Sequence, residues 1–141
     1  MVARLMVGFR DFYGRSEPPD DAFRAGVEQL ITRPDAEYLL AAAGDAAEPG
    51  GVCQLRYRHS LWTASEDCWL EDLFVDESQR RGGLGEALVA AAIERARARG
   101  CGRIELDVSE SNRAAWALYE RMGFSAGYKP PAPNILMGLR L

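Results

Sequence analysis

The chain has 141 residues, a formal net charge of -4, 48% hydrophobic residues and 27% charged residues. This length suits one domain with a proper core, so a single domain over residues 1–141 is predicted. No apolar run approaches the length of a membrane span, and the acidic balance does not favour nucleic acid as a partner. Three scattered cysteines without C-x-x-C spacing and a single histidine predict a reducing cytoplasm and no metal site.

The N-terminal half is predicted to form two helices and then two strands. Apolar residues recur at helical spacing over residues 2–13 and 23–31. Between them, the run Pro18-Pro19-Asp20-Asp21 combines a stop with a helix-capping signal. Residues 37–43 and 52–59 have the pattern of strands, with a glycine- and proline-containing turn between them.

The C-terminal half alternates strands and helices. Strands are predicted over residues 69–75 and 103–108, and helices over residues 84–99 and from Asn112 to just before Gly123. Two further short strands, around Phe124 and over residues 135–141, would finish the sheet. This alternation predicts a three-layer α/β domain around a mixed sheet.

The loop between residues 75 and 84 carries the strongest signal for a ligand. Gly82, Gly83 and Gly85 allow the backbone to approach a ligand closely, and the helix behind them begins with N–H groups that lack partners. Such a junction binds anions, phosphate above all, and Arg80 and Arg81 add positive charge. It is neither a P-loop, which needs Lys and Ser or Thr after the last glycine, nor the dinucleotide fingerprint, which needs a third spaced glycine.

Two motifs point to a known family. The loop Arg80-x-x-Gly83-x-Gly85 closely resembles the acyl-CoA loop of the GNAT superfamily of N-acetyltransferases. The later run Asn112-x-x-Ala115-x-x-Leu118-Tyr119-x-x-x-Gly123-Phe124 matches the second motif of that family. The resemblance implies a three-layer α/β/α fold with a splayed sheet, and acetyl-CoA as the co-substrate. It implies direct transfer of the acetyl group to an amine within a ternary complex.

One element of the family is missing from the sequence. In relatives a strand precedes the first helix, whereas here the chain opens on the helix itself. We expect that the chain starts late relative to its relatives, because an exposed sheet edge is a liability. The predicted cofactor loop does not depend on that strand.

The resemblance also implies which residues hold acetyl-CoA. The strand would bend away from its neighbour at a bulge, and backbone groups of Leu73 and Val75 would bind the pantetheine arm there. Loop amides would hold the pyrophosphate. The complete set of expected cofactor residues is Leu73, Phe74, Val75, Arg80, Arg81, Gly82, Gly83, Leu84, Gly85, Glu86, Asn112, Ala115 and Tyr119.

Tyr119 is the expected general acid. The resemblance implies that its hydroxyl points at the thioester sulfur, and a phenol with a pKa near 10 is protonated at neutral pH and able to donate to a leaving thiolate. The alternative is that Tyr119 only packs on the apolar face of its helix. Asn112 likewise has an alternative role as the helix N-cap.

Glu71 is the second expected catalytic residue. Glu71 and Asp72 interrupt an apolar strand, and neighbouring strand residues point to opposite faces, so the two acids are not expected to share a side. The resemblance implies that Glu71 sits beside the thioester, as a base or a cation anchor. The alternative is a structural ion pair with Arg56 or Arg58.

The acceptor is the least determined part. The run from Leu70 to Val75 is most similar to the diamine and polyamine acetyltransferase branch, which implies a small-molecule amine or polyamine. Glu66 and Asp67 are expected to extend the negative potential, and His59 and Trp62 are candidates for the pocket wall. A protein N-terminal or lysine acetyltransferase and a catalytically silent acyl-CoA-binding module remain alternatives, and a homodimer is left open.

Overall fold

A computed structural model describes residues 1–45, 47–126 and 137–140. The helices are α1 (Val2–Phe12), α2 (Asp20–Ile31), α3 (Leu84–Ala98) and α4 (Arg113–Arg121). The strands are β1 (Ala36–Ala41), β2 (Gly51–Ser60), β3 (Ser65–Val75) and β4 (Arg103–Glu105). They form one sheet in the order β1-β2-β3-β4, in which only the β3–β4 pair is parallel.

Helices cover both faces of this mixed sheet. On one face, Leu5 of α1 and Val27 of α2 are buried in a common core with residues of β2 and β3. On the other face, Leu88 and Ala92 of α3 pack in a second core that also contains Tyr119 of α4. The predicted three-layer α/β fold is therefore confirmed.

A bulge interrupts β3 in the middle of the sheet. Asp72 pairs with Gln54, whereas Leu70 pairs with the next residue of β2, so Glu71 is an extra residue without a partner. The extra residue shifts the alternation of side chains by one position. As a result, Leu70 before the bulge and Leu73 after it both pack against the α3-side core.

β3 and β4 pair only where both begin. Asp67, Cys68 and Trp69 pair with residues 103–105, and β4 then ends, three residues before the predicted end of this strand. Beyond Trp69 and Glu105 the two strands no longer pair, because β3 changes direction at the bulge and β4 has ended. The splayed sheet implied by the resemblance is thus present, and the gap between the strands is where a ligand fits.

The ends of the chain bear on two predictions. α1 is the first element, as predicted, and β1 forms one edge of the sheet. Residues 124–126 and 137–140 form no strand, which contradicts the strand predicted around Phe124 and four of the seven residues of the one predicted over 135–141; residues 135, 136 and 141 lie outside the described residues. Among the described helices, none is both long enough and apolar enough to cross a membrane.

Candidate active site

The start of α3 presents backbone N–H groups without partners. Gly83 occupies the N-cap position with φ +80, and it offers no side chain to cap the helix. The N–H groups of residues 84–86 therefore have no acceptor inside α3. A β-carbon at Gly83 would meet no heavy atom within 4 Å, so the loop is open to a ligand from outside. This geometry suits an anion such as phosphate.

The two arginines of the loop differ in their surroundings. Arg81 is exposed and adopts φ +65, which turns the chain toward α3. Arg80 donates from Nε to the Val75 carbonyl oxygen at 3.0 Å, and its guanidinium carbon lies 4.7 Å from the centre of the Phe12 ring. Arg80 thus bridges the end of β3 and α1, rather than lying over the loop amides.

Past the bulge, β3 has an open edge. The Asp76 N–H donates to the Gly50 carbonyl at 2.7 Å, and hydrogen-bonding groups alternate in direction along an antiparallel pair. The N–H and C=O groups of Leu73 and Val75 therefore point away from β2. β4 has already ended at Glu105, so these groups face the gap between the strands. This is the edge that the resemblance assigns to the pantetheine arm.

Phe74 does not belong to that edge. It pairs with Val52, so the same alternation directs its backbone groups toward β2. Its ring packs in the core under α1, with its centre 5.6 Å from that of Phe9. The alternation that opens Leu73 and Val75 turns Phe74 away from this edge, so the structure adds no support to the prediction that Phe74 contacts the cofactor.

A cavity of about 790 Å³ lies beside the bulge. Residues 70–73 of β3 form one wall, and residues 107–109, which follow β4, form another. The first turn of α4 and Tyr119 close a third side. The remaining wall comes from α1, α2 and the segment between them, and its aromatic residues are Phe9, Phe12, Tyr13 and Phe23.

Tyr119 belongs to both the core and the cavity. It is 8% exposed, its ring packs edge-to-face on Phe124 at 5.8 Å, and it also borders the cavity. Burial raises the pKa of Tyr119 to about 12. Among the described residues its hydroxyl has no hydrogen-bond partner. The phenol is therefore protonated at neutral pH and able to donate to a ligand in the cavity.

Asn112 caps α4, as its alternative role predicted. Its Oδ1 accepts a hydrogen bond from the Ala115 N–H at 3.2 Å, and both residues border the cavity. The cap fixes the start of the helix that carries Tyr119. Any contact of Asn112 with the cofactor would therefore be additional to this structural role.

The two acids of β3 border the same cavity. Glu71 is exposed, and Asp72 is partly buried. The expectation that they do not share a side is wrong, because strict alternation stops at the bulge. Burial, reinforced by the charges of Glu71 and Asp107, raises the pKa of Asp72 to about 6. Asp72 was not predicted as a site residue, because the sequence of a strand does not reveal whether a carboxyl within it is buried.

Glu71 is not a structural partner of the arginines on β2. Arg56 pairs with Asp35 at 3.6 Å, and Arg58 pairs with Glu105 at 3.8 Å. Within the part of the chain that the structure describes, Glu71 forms no ion pair. Its carboxylate is therefore available to a cationic ligand.

Four residues expected near the acceptor lie elsewhere. His59 and Trp62 are exposed at the β2–β3 hairpin, Trp62 by 93%, and neither borders the cavity. Glu66 and Asp67 each accept a hydrogen bond of 2.6 Å from an arginine. These two charges are compensated within the fold, so they do not extend the negative potential as predicted.

Comparison with known proteins gives a consistent result. The family model of the acetyltransferase (GNAT) family matches residues 3–124. The chain is 31% identical over 144 residues to glucosamine 6-phosphate N-acetyltransferase 1 of Oryza sativa subsp. japonica. This alignment covers 98% of this chain and 80% of that protein. It is 47% identical over 51 residues, or 36% of its length, to mycothiol acetyltransferase of Streptosporangium roseum.

The extent of the matches differs. The alignment spans 15% of that mycothiol acetyltransferase and 18% of those of two Salinispora species. Among solved structures, one described as "a probable acetyltransferase" superposes with a TM-score of 0.86 at 27% identity, over 99% of this chain and 90% of that chain.

Proposed function

The chain belongs to the GNAT family of acetyltransferases, and on that premise we propose that it moves the acetyl group of acetyl-CoA to a primary amine of a small molecule. The transfer is direct, within a ternary complex. The observation that carries the proposal is the alignment of the α3 N-terminus, the open edge at Leu73 and Val75, and the cavity beside Tyr119. In this proposal the start of α3 binds the phosphates, the edge of β3 binds the arm of the cofactor, and the cavity holds the reacting groups.

The residues present fit acetyl-CoA. The N–H groups of residues 84–86, with Arg81 nearby, would hold the pyrophosphate. The backbone groups of Leu73 and Val75 would pair with the amides of the pantetheine arm, as in strand addition. Acetyl-CoA supplies the acetyl group in activated form, as a thioester. For Arg80 to reach the phosphates, it must release the Val75 carbonyl, which then becomes available to the cofactor.

Tyr119 would assist the departure of the thiolate. With a pKa of about 12 for Tyr119 and about 8.5 for an ordinary thiol, full proton transfer is uphill by roughly 5 kcal/mol. The same buried surroundings raise the pKa of the thiol and narrow this gap. A charge-assisted hydrogen bond to the developing thiolate offsets a further part of it. Tyr119 therefore acts first as a hydrogen-bond donor and then as the acid.

The charges of the cavity favour a cationic acceptor. Arg10 borders the cavity, but it is held by Asp11 at 2.6 Å and Asp20 at 2.8 Å, and the other cation among the described residues of the cavity is Arg15. Four acids of the cavity form no ion pair among the described residues, namely Glu17, Glu71, Asp72 and Asp107. In our proposal Glu71 receives the acceptor ammonium, as its anchor or its base. The aromatic wall adds cation–π attraction for a polyamine or similar amine.

A turnover screen tests this function. The purified protein is incubated with acetyl-CoA and with polyamines, amino sugars, aminoglycosides, amino acids or short peptides, and the release of free thiol is measured. We expect turnover with small cationic amines, which Tyr119→Phe reduces. Turnover with peptides alone would indicate a protein acetyltransferase. Binding of acetyl-CoA without turnover of any amine would indicate a silent binding module.

A further inference from the structure

We propose that Asp72 accepts the proton of the acceptor ammonium, while Glu71 and Asp107 hold that ammonium against the cavity wall. This inference rests on the proposed function. Glu71 alone was predicted to be either the base or the cation anchor. Here Asp72 is the base and Glu71 is an anchor. The division follows from the bulge, which places both acids at one cavity but in different surroundings.

Asp72 occupies a position in which a carboxylate is costly. It is partly buried on the sheet, opposite Gln54, and the Gln54 Oε1 is already engaged by the Tyr38 hydroxyl at 3.0 Å. Among the described residues, Asp72 has neither a hydrogen-bond donor nor an ion-pair partner. A carboxylate that lacks compensation inside the protein has a raised affinity for a proton or a cation. The cavity is the side from which either can reach it.

The groups that face Asp72 reinforce this tendency. The acids Glu71 and Asp107 disfavour its ionised form, and together with burial they raise the pKa of Asp72 to about 6. Among the described residues, no cation forms an ion pair with these three acids, because Arg10 is held by its own acids and Arg56 pairs with Asp35. The other described titratable groups around Asp72 or around the cavity are Tyr13, Tyr38, Cys53, Tyr119, Arg15 and Glu17.

Glu71 is less suited to take the proton. It is exposed to water, whereas Asp72 is partly buried, and burial raises the pKa of Asp72 to about 6. A base works best when its pKa lies close to the working pH. Exposure at the mouth of the cavity suits Glu71 to the binding of a cation instead.

The proton transfers balance as follows. The Asp72 carboxylate removes one proton from R–NH3⁺, and the neutral nitrogen forms the new C–N bond to the acetyl carbon as the C–S bond breaks. The sulfur receives the proton of the Tyr119 hydroxyl, and a second proton from the nitrogen returns to the Tyr119 oxygen through water. Asp72 then releases its proton to solvent. One ammonium and one acetyl-CoA thus give the amide, the free thiol and one H⁺.

The test is the pH dependence of kcat/KM, measured with spermidine or with whichever amine has the highest kcat/KM in the turnover screen. In the native protein kcat/KM should fall tenfold per pH unit below an inflection near 6, the pKa of Asp72. Asp72→Asn should remove the inflection near 6, leave only the rise that follows the fraction of neutral amine, and lower kcat/KM by roughly 10²- to 10⁴-fold. Glu71→Gln should keep the inflection, move it to lower pH and raise the KM of the amine.

A second measurement and a control variant make the outcome decisive. The carbon-13 resonance of the Asp72 carboxyl in the free protein should titrate near pH 6, and at lower pH in Glu71→Gln and Asp107→Asn. Asp45→Asn, in an exposed turn, is the matched control and should change neither readout. An inflection near pH 6 that persists in Asp72→Asn, an inflection that vanishes in Glu71→Gln, or an Asp72 midpoint near 4 would overturn the inference. Failure of every amine to react would instead reject the proposed function itself.

Discussion

The two sides of the gap between β3 and β4 are built by different means. On the proposed cofactor side the groups that would bind are backbone atoms, at Leu73, Val75 and the first turn of α3. On the acceptor side they are side chains, brought together from α1, β3, α4 and the segment after β4. A backbone site follows from local chain order, whereas a side-chain site depends on how distant elements meet. Substitutions should therefore act differently on the two sides.

The largest effect is expected where the two sides meet, at Tyr119. Tyr119→Phe removes one hydroxyl, so kcat should fall by roughly 10²- to 10⁴-fold, while the affinity for acetyl-CoA should be nearly unchanged. Tyr57→Phe is the matched control, because Tyr57 is buried and its hydroxyl bonds Glu37 at 3.0 Å away from the cavity. Steady-state kinetics separate the cases. A change confined to KM would reduce Tyr119 to a packing residue.

The next effect tests the backbone side alone. At a hundredfold excess over its dissociation constant, acetyl-CoA should stabilise the fold by about 2.7 kcal/mol. Gly83→Asp should abolish this stabilisation, because it places a carboxylate where the pyrophosphate binds. Gly100→Asp is the control, since Gly100 also has positive φ (+76) and open surroundings but lies at the other end of α3. A thermal shift retained in Gly83→Asp would refute the phosphate loop.

The acceptor side should also affect how the free energy of unfolding depends on pH. The pKa of Asp72 rises from 3.8 to about 6 in the folded protein, so the folded state binds the proton more tightly than the unfolded state. The contribution of Asp72 to stability is therefore greatest below pH 4 and is lost as pH rises through about 6. At pH 7, Asp72→Asn should stabilise the ligand-free protein by on the order of 2 kcal/mol, and at pH 4 by only about 0.5 kcal/mol. Urea unfolding at both pH values checks this, and an equal difference at each would contradict it.

The smallest effect concerns a residue that touches both sides. Phe12 borders the acceptor cavity, and it also holds Arg80 in a cation–π contact. Such a contact is worth about 0.5–1 kcal/mol at an exposed site, so Phe12→Leu should tighten acetyl-CoA binding by about two- to fivefold. The same substitution in an Arg80→Ala background should have no effect on affinity. Calorimetric titration of the four proteins measures this, and weaker binding in the single variant would show that Phe12 supports the cofactor site.

The cofactor side was largely predictable from the sequence. The strand, the glycine loop and the helix are contiguous in the chain, so the loop at Gly83 could be predicted from the residues, while the family resemblance implied the edge at Leu73 and Val75. The four helices were also predicted, since their apolar residues recur at helical spacing. The resemblance was applied to three consecutive residues, although a strand offers only alternate ones to an edge, so Phe74 is the least supported of the three.

The acceptor side was not predictable in the same way. The bulge at Glu71 has no local sequence signal, yet it decides that Asp72 borders the cavity. Asp67 seemed free in the sequence, but it is 1% exposed and bonded to Arg103, a residue 36 positions away. His59 and Trp62 are near the expected pocket only in the sequence. Each of these outcomes depends on tertiary contacts, and none on local spacing.

The most direct test of the central claim is to titrate acetyl-CoA into nitrogen-15-labelled protein and to follow the backbone amides by NMR. If the cofactor lies along the open edge of β3 and the start of α3, the largest shifts should occur at Leu73, Val75 and residues 84–86. The turn at residues 61–64, at the tip of the β2–β3 hairpin, should not respond. Saturable shifts at that turn, with the amides of Leu73, Val75 and residues 84–86 unchanged, would contradict the claim.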